Sequence, residues 1–284
     1  MILDSIKEQF KKKGFWKTIE FYFCRVMSKA ALKVVGTYAA NHGKLHRNYI
    51  VFKNRTMQDM TDNARAFFEY LVHNEAYKNY QIIWMVSDKR KFRKCKYKNV
   101  KFVTAESRNG WTSPLAYYYG AVSGFFFYTN NTAYLNLHHC PGQITVNLWH
   151  GCGYKDVPRE KRENTGASMM HFDYALVPGE AFVETKSRYW KCPKEKILPL
   201  GYPRYDWMLH PSMNSQDIIW KMFGMKADKV ILWMPTFRNS EVLDSAESKI
   251  KLPFPLPGFK NEEELRHLDK TLKHLNVLLI IKKH

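Results

Sequence analysis

The chain has 284 residues, 45% of them apolar and 15% aromatic, with 45 Lys and Arg against 26 Asp and Glu. That apolar content supports a full hydrophobic core and excludes wholesale disorder. The formal charge of +19 selects a polyanionic partner (nucleic acid, anionic lipid or a phosphate-rich substrate) without choosing among them.

Five cysteines, Cys24, Cys95, Cys140, Cys152 and Cys192, stand apart with no C-x-x-C spacing. The odd count argues against a disulfide framework or a structural zinc site, and a reduced, cytosolic protein is the simplest reading. Residues 1–13 are mixed and charged, which does not fit a secretory signal. No segment reaches the roughly 18–20 apolar residues of a membrane span.

In chain order, residues 1–47 form a segment of their own, with ten Lys and Arg against three acids. Between Phe15 and Val35 the residues Phe15, Ile19, Tyr22, Phe23, Val26, Ala30 and Val34 recur at helical spacing, interleaved with Lys17, Arg25, Lys29 and Lys33. This predicts a basic amphipathic helix suited to an anionic membrane surface. The plainer alternative is a helix that packs on the main domain and wets its basic face.

A regular alternation follows. Strands are predicted at 48–52, 81–86, 100–103, 124–128, 143–149, 173–177 and 196–200, and helices at 62–72, 113–120 and 180–190. Thr61 or Asp62 serves as the first N-cap. Short apolar strands alternating with helices imply a parallel sheet covered on both faces. The basic run at 89–101 reads as a solvated loop. Residues 109–154 contain no Asp, Glu, Lys or Arg, which marks the buried centre of the sheet.

After Pro203 the pattern changes. Residues 207–228 are mixed and 239–260 look like a long loop. A strand at 229–234, a helix at 262–275 and a strand at 276–281 begin a second α/β domain, and the chain stops at Lys282-Lys283-His284.

Three strand-end motifs carry the chemistry. In Trp149-His150-Gly151-Cys152-Gly153-Tyr154-Lys155, a titratable imidazole stands beside glycines and a cation, the composition of a general base near a phosphate. Gly201-Tyr202-Pro203-Arg204-Tyr205-Asp206 reads as a turn aiming a guanidinium outward. Met234-Pro235-Thr236-Phe237-Arg238 ends a strand the same way, and the planar fork of arginine suits phosphate. His138, His139, Cys140, His150 and Cys152 match no zinc spacing, so no metal is predicted.

Taken in order, these motifs, with Asp62-Asn63-Ala64-Arg65-Ala66 upstream and Ile280-Ile281-Lys282-Lys283-His284 at the end, resemble the CDP-glycerol:poly(glycerophosphate) glycerophosphotransferases, including CDP-ribitol-using relatives. The resemblance implies an α/β fold of GT-B type, two Rossmann-like domains with parallel sheets. Residues 48–208 would be the acceptor domain. Residues 209–284 would be the start of the CDP-alditol donor domain, incomplete in this chain. It implies catalytic roles for His150 and His284, and substrate or phosphate contacts by Gly151, Lys155, Arg204, Thr236 and Arg238.

The implied reaction moves glycerol phosphate or ribitol phosphate from its CDP derivative to a hydroxyl of a polyprenyl-diphosphate-linked teichoic acid precursor or polymer, releasing CMP. No cofactor is needed beyond the CDP-glycerol or CDP-ribitol substrate. The expected location is peripheral, on the cytoplasmic side of the plasma membrane. The alternatives are a GT-B nucleotide-sugar glycosyltransferase and a basic nucleic-acid-binding protein. No helix-turn-helix, RRM or zinc-finger signature supports the last, so nucleic acid is not an expected partner.

Overall fold

The computed structural model describes residues 14–55, 59–95, 97–151, 171–211, 213–234 and 258–282. The chain divides into two compact units, Met1–His210 and Pro211–His284.

The first unit opens with α1 (Phe15–Ala31), a π-helical turn (Leu32–Gly36) and α2 (Thr37–His42). There follow β1 (His46–Lys53), α3 (Asp62–His73), β2 (Gln81–Val86), β3 (Val100–Thr104), α4 (Pro114–Val122) and β4 (Ser123–Tyr128). The unit continues with β5 (Ile144–Asn147), β6 (Tyr174–Leu176), α5 (Val183–Trp190), β7 (Ile197–Leu198) and α6 (Arg204–Leu209). All seven strands are parallel, in the order β3-β2-β1-β4-β5-β6-β7. The order reverses between β1 and β4, and open α/β sheets bind ligands at the carboxyl ends of strands beside such a reversal.

The predicted strands all form, and no end moves by more than two residues. The last three of this sheet are shorter than the apolar runs suggested, because β6 and β7 pair over only two residues each.

The core follows from the apolar runs. Phe52 stacks between Trp84 and Phe127, with centroids 5.3 and 5.5 Å away. α3 lays Ala64, Phe68 and Leu71 onto this layer. The charge-free stretch is central but not purely apolar. Asn136 donates to Gln143 and Thr145 at 3.0 and 2.9 Å, and Gln143 donates to the Gly120 carbonyl at 2.7 Å. Neutral amides line this buried region, so no charge has to be desolvated there. Gly120 is required there, since a Cβ would lie 2.1 Å from the Leu135 carbonyl oxygen.

α1 packs on the unit through its polar side. Thr18 and Ser28 are buried, and Ser28 Oγ accepts the Thr112 N–H at 2.9 Å. Asn109 donates to Glu20 at 2.9 Å. The apolar side, Phe15, Trp16, Ile19, Phe23 and Val26, faces outward, with Trp16 79% and Phe23 65% exposed. The helix therefore packs, as the plainer alternative held, yet it is the apolar stripe rather than only the basic side that meets solvent.

The second unit contains α7 (Ser215–Phe223), β8 (Lys229–Trp233), α8 (Glu262–His274) and β9 (Val277–Ile281), with β8 and β9 parallel. α7 lies in the stretch read from sequence as merely mixed. Its start was nonetheless encoded, for Asn214 caps it by accepting the Asp217 N–H at 2.9 Å. Its end was too, for Gly224 takes the left-handed φ of 67° that ends helices. The region read as a loop at 239–260 lies mostly outside the described residues.

Candidate active site

β5 ends in an abrupt turn. Leu148 still pairs with β4, donating its N–H to the Tyr128 carbonyl at 2.7 Å. Trp149 then adopts φ 49°, left-handed for a bulky residue. Its N–H is taken by Asn147 Oδ1 at 2.9 Å, an Asx-type contact that stabilises the bend. Strain of this kind persists only where surroundings hold it. Here Asn63, fully buried on the first turn of α3, donates to the carbonyls of Leu148 and Trp149 at 3.0 and 2.9 Å.

That bend delivers His150. Its Nδ1 lies 3.2 Å from the carbonyl oxygen of Thr129, just beyond β4. A carbonyl only accepts, so Nδ1 carries the proton in the neutral ring and Nε2 holds a lone pair. The ring stacks on Trp149 with centroids 4.2 Å apart. The residue is exposed at its edge, yet the protein packed against it pushes its pKa below the usual 6.5. The Thr129 carbonyl and Asp62 oppose that shift, whereas Arg55 and Lys186 add to it. The outcome is an imidazole kept neutral at physiological pH with Nε2 able to take a proton.

Arg204 does not stand free as the turn reading supposed. It begins α6, its guanidinium pairs with Asp62, and its N–H reaches Asn63 Oδ1 at 3.4 Å. It also lies over the rings of Tyr202 and Tyr205, 5.9 and 5.7 Å from their centroids. A carboxylate partner thus occupies the fork in this state. Tyr202 donates its hydroxyl to the Gly151 carbonyl at 3.1 Å, so the second motif braces the first. Among the described residues, a Cβ added at Gly151 would meet nothing within 4 Å. Lys155, Thr236, Arg238 and His284 lie outside the described residues.

Sequence reasoning missed four contributors: Asn63, Asp62 in its pairing role, Thr129 and Lys186. Asp62 and Asn63 were visible only as helix-start residues, and the carbonyl of Thr129 leaves no signature in residue type. Among the described residues no group of His, Cys, Asp and Glu has the makings of a metal site.

The architecture is that of an α/β domain that carries His150 and Arg204 beyond the carboxyl ends of strands of a parallel sheet. The family model described as CDP-Glycerol:Poly(glycerophosphate) glycerophosphotransferase matches residues 37–284, and the chain belongs to that family. The chain is 24% identical over 237 residues to a teichoic acid poly(glycerol phosphate) polymerase of Bacillus spizizenii, covering 78% of this chain and 58% of that protein. It is 23% identical over 257 residues to a teichoic acid glycerol-phosphate transferase of Staphylococcus aureus, covering 84% and 63%.

A solved structure of the wall teichoic acid polymerase TagF superposes with a TM-score of 0.65 at 21% identity, covering 95% of this chain and 65% of that one. A TagF variant soaked with CDPG gives 0.66 at 20% identity, covering 95% and 64%. These likenesses show the fold, α/β of GT-B type. The chain spans about three fifths of the length of the Bacillus and S. aureus relatives.

Proposed function

We propose that this protein transfers glycerol phosphate, or ribitol phosphate, from its CDP derivative to a hydroxyl of a polyprenyl-diphosphate-linked teichoic acid precursor or polymer. His150 is the general base. Its Nε2 takes the acceptor hydroxyl proton as the oxygen attacks the phosphorus that bears the alditol. The bond from that phosphorus to the CMP oxygen breaks, and CMP leaves. One observation carries this reading: the Nδ1–Thr129 contact that leaves Nε2 available, at a strand's carboxyl end, in a ring held neutral. Lys155, Arg204, Thr236 and Arg238 are proposed phosphate contacts and His284 a second catalytic group. Arg204 serves by exchanging its Asp62 partner for a phosphate oxygen.

The acceptor is a lipid, and α1 suits a lipid surface. Its outward apolar stripe carries Trp16 and Phe23, and Lys17, Lys29 and Lys33 accompany it. Each cation near an anionic membrane contributes about 1 kcal/mol, and buried aromatics add to that. Among the described residues no helix is long and apolar enough to cross a membrane. Peripheral attachment at the cytoplasmic face is therefore proposed. Cys24, Cys95, Cys140 and Cys192 are all unpaired, which fits a reducing compartment.

The test is CMP release from CDP-glycerol and CDP-ribitol in the presence of a polyprenyl-diphosphate acceptor. His150→Ala should lower turnover by about 10²–10⁴-fold with the fold intact. Near-normal turnover in a folded His150→Ala protein would remove His150 from the mechanism, and release of UDP from UDP-sugars instead would favour a glycosyltransferase.

A further inference from the structure

β1 and β4 run side by side, and Lys53 with Tyr128 is the last pair of their register. The next residue on each strand, Asn54 and Thr129, is buried, at 4% and 1% exposure. Thr129 donates its hydroxyl to Asn54 Oδ1, and the same oxygen accepts the Arg55 N–H at 2.8 Å. Asn54 Nδ2 donates to the carbonyl and hydroxyl oxygens of Thr61, the N-cap residue of α3, at 2.8 and 2.6 Å. A backbone N–H only donates and a carbonyl only accepts, so the amide has one orientation here. Two bonds accepted and two donated use its full capacity. The Asn54 main chain is held as well, its carbonyl accepting from Lys53 Nζ at 3.0 Å.

Resting on the assignment of His150 as base, we propose that Asn54 is a positioning residue for it: the buried amide holds Thr129 so that its main-chain carbonyl takes the Nδ1 proton of His150 and leaves the Nε2 lone pair for the acceptor hydroxyl. Thr129 is fixed on two sides. The carbonyl of Tyr128 before it accepts the Leu148 N–H at 2.7 Å, and its own hydroxyl is bound to Asn54. The oxygen that remains is the one 3.2 Å from His150 Nδ1. Which ring nitrogen of a histidine carries the proton is set by the hydrogen bond that the other makes, so a carbonyl free to turn away would free the tautomer with it. The amide also refers this carbonyl to the start of α3 through Thr61. From the first turn of the same helix Asn63 holds the carbonyls of Leu148 and Trp149. The backbone that delivers His150 and the oxygen that orients its ring are thus fixed to one helix start, by one amide each.

The experiment reads the tautomer of His150 from the nitrogen shifts of its ring by NMR, at about pH 8 where an imidazole is neutral. The whole chain is compared as wild type, Asn54→Leu, Thr129→Val and Thr129→Ser. Wild-type His150 should be protonated at Nδ1. Asn54→Leu removes the amide. Thr129→Val removes only the hydroxyl that the amide accepts, with no change of backbone chemistry and little change of shape. Both should give a mixture of Nδ1–H and Nε2–H forms, and Thr129→Ser, which keeps a hydroxyl, should return the ring to Nδ1–H. In an active preparation kcat should fall by the fraction of molecules that leave the Nδ1–H form, with KM unchanged. A folded Thr129→Val protein whose His150 stays wholly Nδ1–H would overturn the proposal. So would wild-type His150 protonated at Nε2, a measurement that needs no variant to fold. A mixed tautomer in Thr129→Val beside an unchanged kcat would instead overturn the base assignment and leave the hold of Asn54 on the ring standing.

Discussion

The side-chain amide of Asn63 donates to the main-chain carbonyl of Trp149 at 2.9 Å and shares itself with the Leu148 carbonyl. A helix start thereby grips a strand end 86 residues later in the chain. Asn63→Leu would leave two buried carbonyls without a donor, each costing about 1–3 kcal/mol. We expect a loss of roughly 2–4 kcal/mol in urea unfolding and a wider range of His150 ring orientations by NMR. Unchanged stability would mean that water replaces the amide.

Removing Asp62 should shift the titration of His150. Asp62 favours the protonated ring, so Asp62→Asn should lower the His150 midpoint further. It should also release the Arg204 guanidinium, now paired with Asp62. Phosphate or CMP binding, read by calorimetry, should then tighten if Arg204 is a phosphate contact. A midpoint that rises in Asp62→Asn would contradict this arrangement.

Acid should destabilise the first unit by a definite route. Burial lowers the pKa of His150, and both burial and His139 lower that of His171, each from 6.5. The unfolded chain therefore binds more protons than the folded one in the window below 6.5. The stabilising contribution of these neutral rings is complete above 6.5 and is lost as pH falls through their folded values. The urea midpoint should decline from pH 7 to pH 5, and His171→Asn should remove part of that slope. An unchanged slope in this variant would exclude His171 as a source.

Lys53, 2% exposed at the end of β1, forms an ion pair with Glu106 at 2.7 Å and donates to the Asn54 carbonyl at 3.0 Å. Its burial disfavours the ammonium, and Glu106 opposes that. Truncating one member of a buried pair costs about 3–5 kcal/mol, and Glu106 keeps some access to solvent. Lys53→Ala should fall at the lower end of that range in urea unfolding. A loss under about 1 kcal/mol would place the pair among ordinary surface bridges.

The outward face of α1 can be tested without touching the core. Trp16→Ser and Phe23→Ser change exposed side chains, so the thermal midpoint should hardly move. Co-sedimentation with vesicles of anionic lipid should drop several-fold. Full retention would direct attention to the exposed basic turn at Lys89–Phe92.

Periodicity in the sequence was enough to predict the alternating strands, the main helices and the placement of His150 at a strand's end. These follow from local steric preference and from which side chains leave water, both written residue by residue. Ordered motifs were enough to indicate the family that the 37–284 match then showed. The tertiary structure decided what spacing along the chain cannot express. Arg204 reads as an outward cation until α6 and α3 bring it to Asp62. Asn63 reads as a helix-start residue until β5 ends above it. Lys186 reads as one more surface lysine until Trp149, Tyr189 and Trp190 close around it. In each case the partner lies on another element, and a pairing between elements exists only once the sheet order β1-β4-β5 and its covering helices are set.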